Sequence, residues 1–158
     1  MRKSILGTAL ATAAAAVAGS LASRQGVETW YPTLRKPPYN PPNVVFPIAW
    51  TTLYADIAVT SAATIDRFRA DCEGGQANAY IAALGANLAL NAGWSWVFFK
   101  MHKLGPSVIA AGALAASSAD LARRAADADP KFGAALAPYP LWCSFATLLS
   151  AGIWRRNR

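Results

Sequence analysis

Aromatic and amide side chains at helical spacing are the residues of this sequence best suited to bind a ligand. At 100° per residue, three apolar segments each carry such a stripe. The stripes contain Trp50 and Tyr54; Asn91, Trp94 and Phe98; and Trp142, Ala146 and Leu149. Facing inward, they would form an aromatic pocket with a few polar groups, suited to a flat apolar ligand with polar edges. The alternative is that the tryptophans only pack the protein or anchor it at a membrane surface.

Asn91 leaves two interpretations open. It lies in the middle of an apolar segment, where an amide needs a hydrogen-bond partner. That partner is either a ligand or another helix. Asp56, which lies off the aromatic stripe of its own segment, is interpreted as a structural or interhelical group, or as a neutral acid.

Residues for hydrolytic or metal chemistry do not form a recognisable pattern. His102 is the single histidine, and Cys72 and Cys143 have no metal-ligand spacing. The sequence therefore predicts no catalytic residue and no metal site.

The net charge of +7 could suggest that the protein binds nucleic acid, but the basic residues form short clusters beside apolar segments, as at membrane edges. Nucleic acid is not an expected partner.

The composition indicates a membrane protein. Hydrophobic residues make up 54% of the chain and charged residues 15%, against about 25% in soluble domains. We predict one domain, 1–158, that is an all-α, polytopic bundle of five transmembrane helices. The predicted helices are 5–23, 44–65, 77–100, 105–124 and 132–154. The first also resembles a secretory signal peptide, but a retained helix is favoured. Basic residues divide almost evenly between the two sides, which leaves the orientation open.

The loop predicted at 24–43 is rich in proline, basic and aromatic residues. Prolines between Pro32 and Pro42 make it extended or turned rather than helical. It is interpreted either as a lid over the pocket or as a stiff connector. The lid residues would be Trp30, Tyr31, Arg35 and Lys36.

Small residues repeat every four positions at Gly85, Ala89 and Gly93. This spacing lets two helix backbones approach closely. It predicts either a homodimer interface or close packing inside the bundle.

Three separated motifs resemble those of one family. The first runs from Trp30 to Tyr54 as W-Y-x-x-L-x-K-P-x-x-x-P-P-x-x-x-F-P-x-x-W-x-x-L-Y. The second is Leu90-Asn91 followed by Trp94-Ser95-x-x-Phe98-Phe99, and the third is Pro138-Tyr139-x-x-Trp142 with Ala146 and Ile153-Trp154-Arg155-x-Asn157. The chain resembles the translocator protein family, also called TspO/MBR, tryptophan-rich sensory proteins or peripheral-type benzodiazepine receptors.

The resemblance implies a five-helix membrane bundle, often dimeric, that binds porphyrins such as protoporphyrin IX or haem and requires no cofactor. It implies a receptor, carrier or regulator. Light-dependent porphyrin degradation is the enzymatic alternative, and regulation through a membrane partner is another. The ligand-binding residues it implies match the three stripes. Gly152 stands near the place of the sterol-motif tyrosine of animal members, which argues against sterol binding. The bacterial inner membrane is favoured over the outer, which mostly houses barrels.

Overall fold

The chain is built from helices and turns throughout residues 2–158, which a computed structural model describes, and no strand occurs among them. The helices are α1 (Arg2–Thr29), α2 (Val45–Ala70), α3 (Gly74–Ser95), α4 (Leu104–Ala128), α5 (Pro130–Leu136) and α6 (Pro138–Arg156). A 3₁₀ turn at Tyr31–Thr33 follows α1, and a π-helical turn at Trp96–Lys100 prolongs α3. Only Ala137 separates α5 from α6, so these two helices together form the fifth helical segment of the bundle. The predicted all-α, five-helix bundle is confirmed.

Most helices are longer in the structure than the lengths predicted from their apolar segments. α1 was expected to end at residue 23 but continues to Thr29, so the loop begins at Trp30 rather than at residue 24. No proline interrupts the chain before Pro32, and the polar residues after the apolar run therefore stay helical. The helix ends also differ from the predicted ones at the start of α1 at Arg2, the end of α2 at Ala70, the start of α3 at Gly74, the end of α4 at Ala128, the start of α5 at Pro130 and the end of α6 at Arg156.

The two faces of α1 reverse the arrangement of a soluble helix. Its outward face is apolar, and Leu6 and Leu10 are 62% and 63% exposed. Its inward face carries the buried hydroxyls of Ser4, Thr8 and Thr12. The Thr8 hydroxyl donates to the carbonyl of Ala58 on α2 at 2.7 Å. Apolar residues outside and hydrogen-bonded polar groups inside are the pattern expected of a helix surrounded by lipid.

Within the described residues, three helical stretches are long and apolar enough to cross a membrane by length and composition. They are Lys3–Thr29, Leu104–Ala128 and the combined α5–α6 stretch Pro130–Arg156. α2 and α3 also carry polar residues, and several of these point into the bundle. Ser61, Thr64, Asn87 and Asn91 are all buried. Part of the polar content of α2 and α3 therefore lies in the interior of the bundle.

The loop between α1 and α2 is fixed to the end of α6. The Asn157 side chain accepts a hydrogen bond from the Arg35 N–H at 3.0 Å and donates one to the Arg35 carbonyl at 2.9 Å. The Tyr39 hydroxyl donates to the Leu148 carbonyl at 3.3 Å. A Cβ at Gly152 would collide with the Tyr39 hydroxyl and would lie 3.2 Å from Cγ of Pro37. Glycine at 152 therefore lets the loop lie directly on α6.

Gly152→Ala should loosen this loop. The added methyl group must displace the Tyr39 ring and its hydrogen bond, and we expect a loss of about 0.5–1.5 kcal/mol of stability. Tryptic cleavage after Arg35 should become faster, as followed by mass spectrometry of the protein in detergent. Gly112→Ala is the matched control, because its Cβ would make only an ordinary contact with Thr147 at 3.9 Å. Equal cleavage rates in the two variants would contradict the prediction.

Candidate functional site

A cavity of about 570 Å³ lies inside one half of the bundle. Its wall is formed by α1, α2, α3 with the π-helical turn, α6 and both ends of the loop. All of the residues predicted to bind ligand lie on this wall: Trp50, Tyr54, Asn91, Trp94, Phe98, Trp142, Ala146 and Leu149. The three stripes therefore meet at one place. That they bind a ligand stays a prediction.

Trp50 lies at the centre of the aromatic wall. Its ring centroid is 5.6 Å from that of Tyr54, 6.4 Å from that of Trp94 and 6.5 Å from that of Trp142. These separations lie in the range of favourable aromatic pairs. Helix periodicity explains the arrangement, since each tryptophan occupies the inward stripe of a different helix.

The π-helical turn extends the aromatic wall toward the loop. Trp94 stacks on Phe98 at 5.7 Å, and Phe98 packs edge-on against Phe99 at 4.7 Å. The wide turn inserts an extra residue into α3, and consecutive phenylalanines can then both face the interior. Phe98 is buried, and Trp30 lies edge-on to it at 5.4 Å.

A chain of hydrogen bonds between helices supports the cavity wall. Tyr54 donates to Oδ1 of Asn91 at 2.7 Å, and Nδ2 of Asn91 donates to the Tyr139 hydroxyl at 3.1 Å. The Tyr139 hydroxyl donates in turn to Oδ1 of Asn87 at 2.8 Å, and Asn87 donates to the hydroxyls of Ser117 and Ser118 on α4. Asn91 thus bonds two other helices and also lines the cavity, so the two interpretations of this residue are compatible.

Two tryptophans of the cavity wall have a buried indole N–H group that is left without an acceptor among the described residues. Nε1 of Trp94 and Nε1 of Trp142 are both buried and have no hydrogen-bond acceptor within residues 2–158. A buried donor without an acceptor is costly.

The predicted lid residues have different surroundings. Tyr31 lies on the cavity wall, where its hydroxyl donates to Asn40 at 2.8 Å. Burial raises the pKa of Tyr31 above its usual value near 10, so it remains a neutral donor. Trp30, Arg35 and Lys36 are not on the wall. Trp30 stacks on His102 at 4.2 Å, and the Lys36 ammonium lies 4.7 Å from the centroid of the Tyr31 ring.

The small residues of α3 face away from the bundle. Gly85 and Ala89 are exposed, and a Cβ at Gly85 or Gly93 would meet nothing within 4 Å in the described chain. The opposite face, with Leu84, Leu88 and Asn91, is buried. Close packing inside the bundle is therefore wrong for this face, and the homodimer interface stays a prediction.

Other polar groups have structural partners. Oδ1 of the half-buried Asp56 accepts a hydrogen bond from the Thr60 hydroxyl on the same helix at 2.7 Å. Among the described residues, no group of three histidine, cysteine, aspartate or glutamate side chains could hold a metal ion. The aromatic faces around the cavity are suited to stacking on a flat molecule.

The sequence profile of the TspO/MBR family matches residues 8–155, which includes every element of the cavity wall. The chain belongs to the TspO/MBR family. Together with the apolar outer faces of its helices, this makes it an integral membrane protein.

Relatives in this family come from bacteria and animals. The chain is 30% identical to protein CrtK of Rhodobacter capsulatus over 149 residues, which cover 91% of this chain and 88% of the relative. It is 34% identical to the tryptophan-rich sensory protein of Cereibacter sphaeroides, with 82% and 78% covered. It is 30% identical to the translocator protein of Ovis aries, with 82% and 75% covered.

The contribution of α1 to the TspO/MBR cavity was not predicted. Its lining residues are Ala16, Gly19, Ser20, Ser23, Arg24, Val27 and Glu28. None is aromatic, so they fall outside the aromatic stripes that predict the cavity. Their signal is the cluster of small residues, which leaves space where a larger side chain would fill the cavity. Tyr139, which joins two asparagines, was noted only as part of a motif.

Proposed function

We propose that this member of the TspO/MBR family binds porphyrins or related flat aromatic molecules in the membrane, as a receptor, carrier or regulator. The observation that carries the proposal is the convergence of Trp50, Trp94 and Trp142 from three helices on one cavity. At about 570 Å³, the cavity falls within the roughly 300–1,000 Å³ of small-molecule sites.

The chemistry of the wall favours a planar ring with polar edges. Aromatic faces stack on a planar ligand, while the surrounding alanine and leucine side chains exclude water. The wall also carries the polar side chains of Asn91 and Tyr54, which suit a ring with polar atoms at its edge. The same proposal places the protein in an inner membrane, where helical bundles occur, and includes a homodimer formed through Gly85, Ala89 and Gly93.

Titration of the detergent-purified protein with protoporphyrin IX tests this function. Quenching of tryptophan fluorescence should saturate at micromolar ligand. Trp142→Phe should weaken binding about 3- to 10-fold, since it removes part of one stacking surface but keeps an aromatic ring. Trp154→Phe is the matched control, because Trp154 lies on the same helix and is absent from the cavity wall.

The outcomes separate the candidate functions. Quenching that does not saturate, and is equal in both variants, would reject the porphyrin site. Loss of porphyrin absorbance over many turnovers in light and oxygen, abolished in Trp142→Phe, would favour the degrading enzyme over a receptor or carrier.

A further inference from the structure

Two charged side chains lie on the cavity wall within the described residues, Arg24 and Glu28. Both are in the last two turns of α1, four residues apart, and both are exposed. They therefore lie at the rim, where the cavity meets the surface of the bundle. The remainder of the wall is apolar, aromatic or uncharged polar.

Arg24 has no carboxylate partner in residues 2–158. This distinguishes it from Arg67, Arg123 and Arg124, each of which bonds an aspartate at 2.7–3.1 Å. Glu28 does not neutralise it, although one helical turn separates them. An arginine that precedes a glutamate by four residues is in the less favourable order for a helical ion pair. The Arg24 guanidinium is thus available to a ligand.

We infer that Arg24 binds the acidic group of a flat aromatic ligand whose ring lies against the tryptophans, so the natural ligand class is aromatic carboxylic acids. This inference rests on the proposed function. Guanidinium matches carboxylate geometry with two parallel hydrogen bonds, which a neutral ester cannot form as strongly. The arginine at the rim would hold the acidic end while the ring stays in the apolar part of the cavity.

The basic residues of the loop do not supply this contact. The backbone of Arg35 is held by Asn157, and its side chain is not on the cavity wall. Nζ of Lys36 donates to the Leu34 carbonyl at 3.3 Å and lies over the Tyr31 ring. Arg24 is therefore the cation that the structure places at the cavity.

Glu28 sets a limit on the acidic end of the ligand. Its carboxylate lies on the same side of the rim and repels a second carboxylate brought near Arg24. One acidic group at the rim is favoured over two. Glu28→Gln should therefore strengthen binding of a dicarboxylate about 2- to 5-fold, which is opposite in sign to the effect of Arg24→Gln.

The test compares protoporphyrin IX, which carries two carboxylates, with its neutral dimethyl ester. Both are titrated into wild-type protein, Arg24→Gln, Arg24→Lys and Arg35→Gln in identical detergent. Arg24→Gln should weaken binding of the acid about tenfold and leave the ester unchanged. Arg24→Lys should retain part of the preference for the acid. Arg35→Gln is the charge-matched control and should leave both affinities unchanged.

Three results would overturn the inference alone. In the first, Arg24→Gln weakens binding of the acid and of the ester equally. In the second, Arg24→Gln changes neither affinity. In the third, Arg35→Gln rather than Arg24→Gln loses binding of the acid. Absence of saturable binding of both porphyrins to the wild-type protein would overturn the proposed function, and this inference with it.

Discussion

Tyr139→Phe should lower the free energy of unfolding by about 1–3 kcal/mol while leaving the shape of the cavity unchanged. Tyr139 is 0% exposed, and its hydroxyl accepts from Nδ2 of Asn91 at 3.1 Å and donates to Oδ1 of Asn87 at 2.8 Å. Phenylalanine fills the same space but leaves two buried amides each short of one partner. Single hydrogen bonds between membrane helices average only about 0.6 kcal/mol. The expected effect exceeds this because two bonds are lost at one fully buried point.

Unfolding of the protein in mixed micelles with increasing denaturing detergent measures this effect. Tyr54→Phe is the matched control, because Tyr54 is only partly buried and donates a single bond, to Asn91. Its loss should be clearly smaller than that of Tyr139→Phe. If both variants unfold like wild type, the network does not stabilise the contact between α3 and α6.

The inward faces of the helices could be predicted because the helical period is regular. Trp50, Asn91, Trp94 and Trp142 all fall on inward stripes, and all line one cavity. Periodicity does not give the depth or rotation of one helix relative to another. The hydrogen-bond partners of Asn91 depend on this relative placement of the helices, because Tyr54 is 37 residues and Tyr139 is 48 residues away in the sequence. The sequence could therefore state that Asn91 needs a partner but could not name it.

The loop was predicted less well than the helices. Its path depends on the bonds between Arg35 and Asn157, which are 122 residues apart. Sequence composition indicated a rigid basic loop, with Arg35 and Lys36 as residues of a lid or of a stiff connector. The prediction that α1 ends at residue 23 placed Arg24 in this loop, because the apolar run stops there. α1 continues beyond the apolar run, so Arg24, Val27 and Glu28 belong to the helix and line the cavity, whereas the prediction assigned them to the loop.

Trp50→Ala should weaken binding of protoporphyrin IX about 30- to 100-fold. Trp50 is the ring that contacts Tyr54, Trp94, Tyr139 and Trp142, all within 6.5 Å between centroids. Its removal takes away a stacking surface and widens the cavity, and we expect a loss of about 2–3 kcal/mol of binding free energy. Trp50→Phe should lose less, because a smaller ring still closes the wall.

The control for Trp50→Ala is Trp96→Ala. Trp96 is 43% exposed on the π-helical turn and is not on the cavity wall. Binding is followed by porphyrin absorbance, because removing a tryptophan changes the fluorescence signal itself, and circular dichroism checks that each variant is folded. Weak binding in a folded Trp50→Ala protein, with normal binding in Trp96→Ala, places the porphyrin inside the bundle. The reverse result would place it on the outer, lipid-facing surface, where Trp96 is exposed.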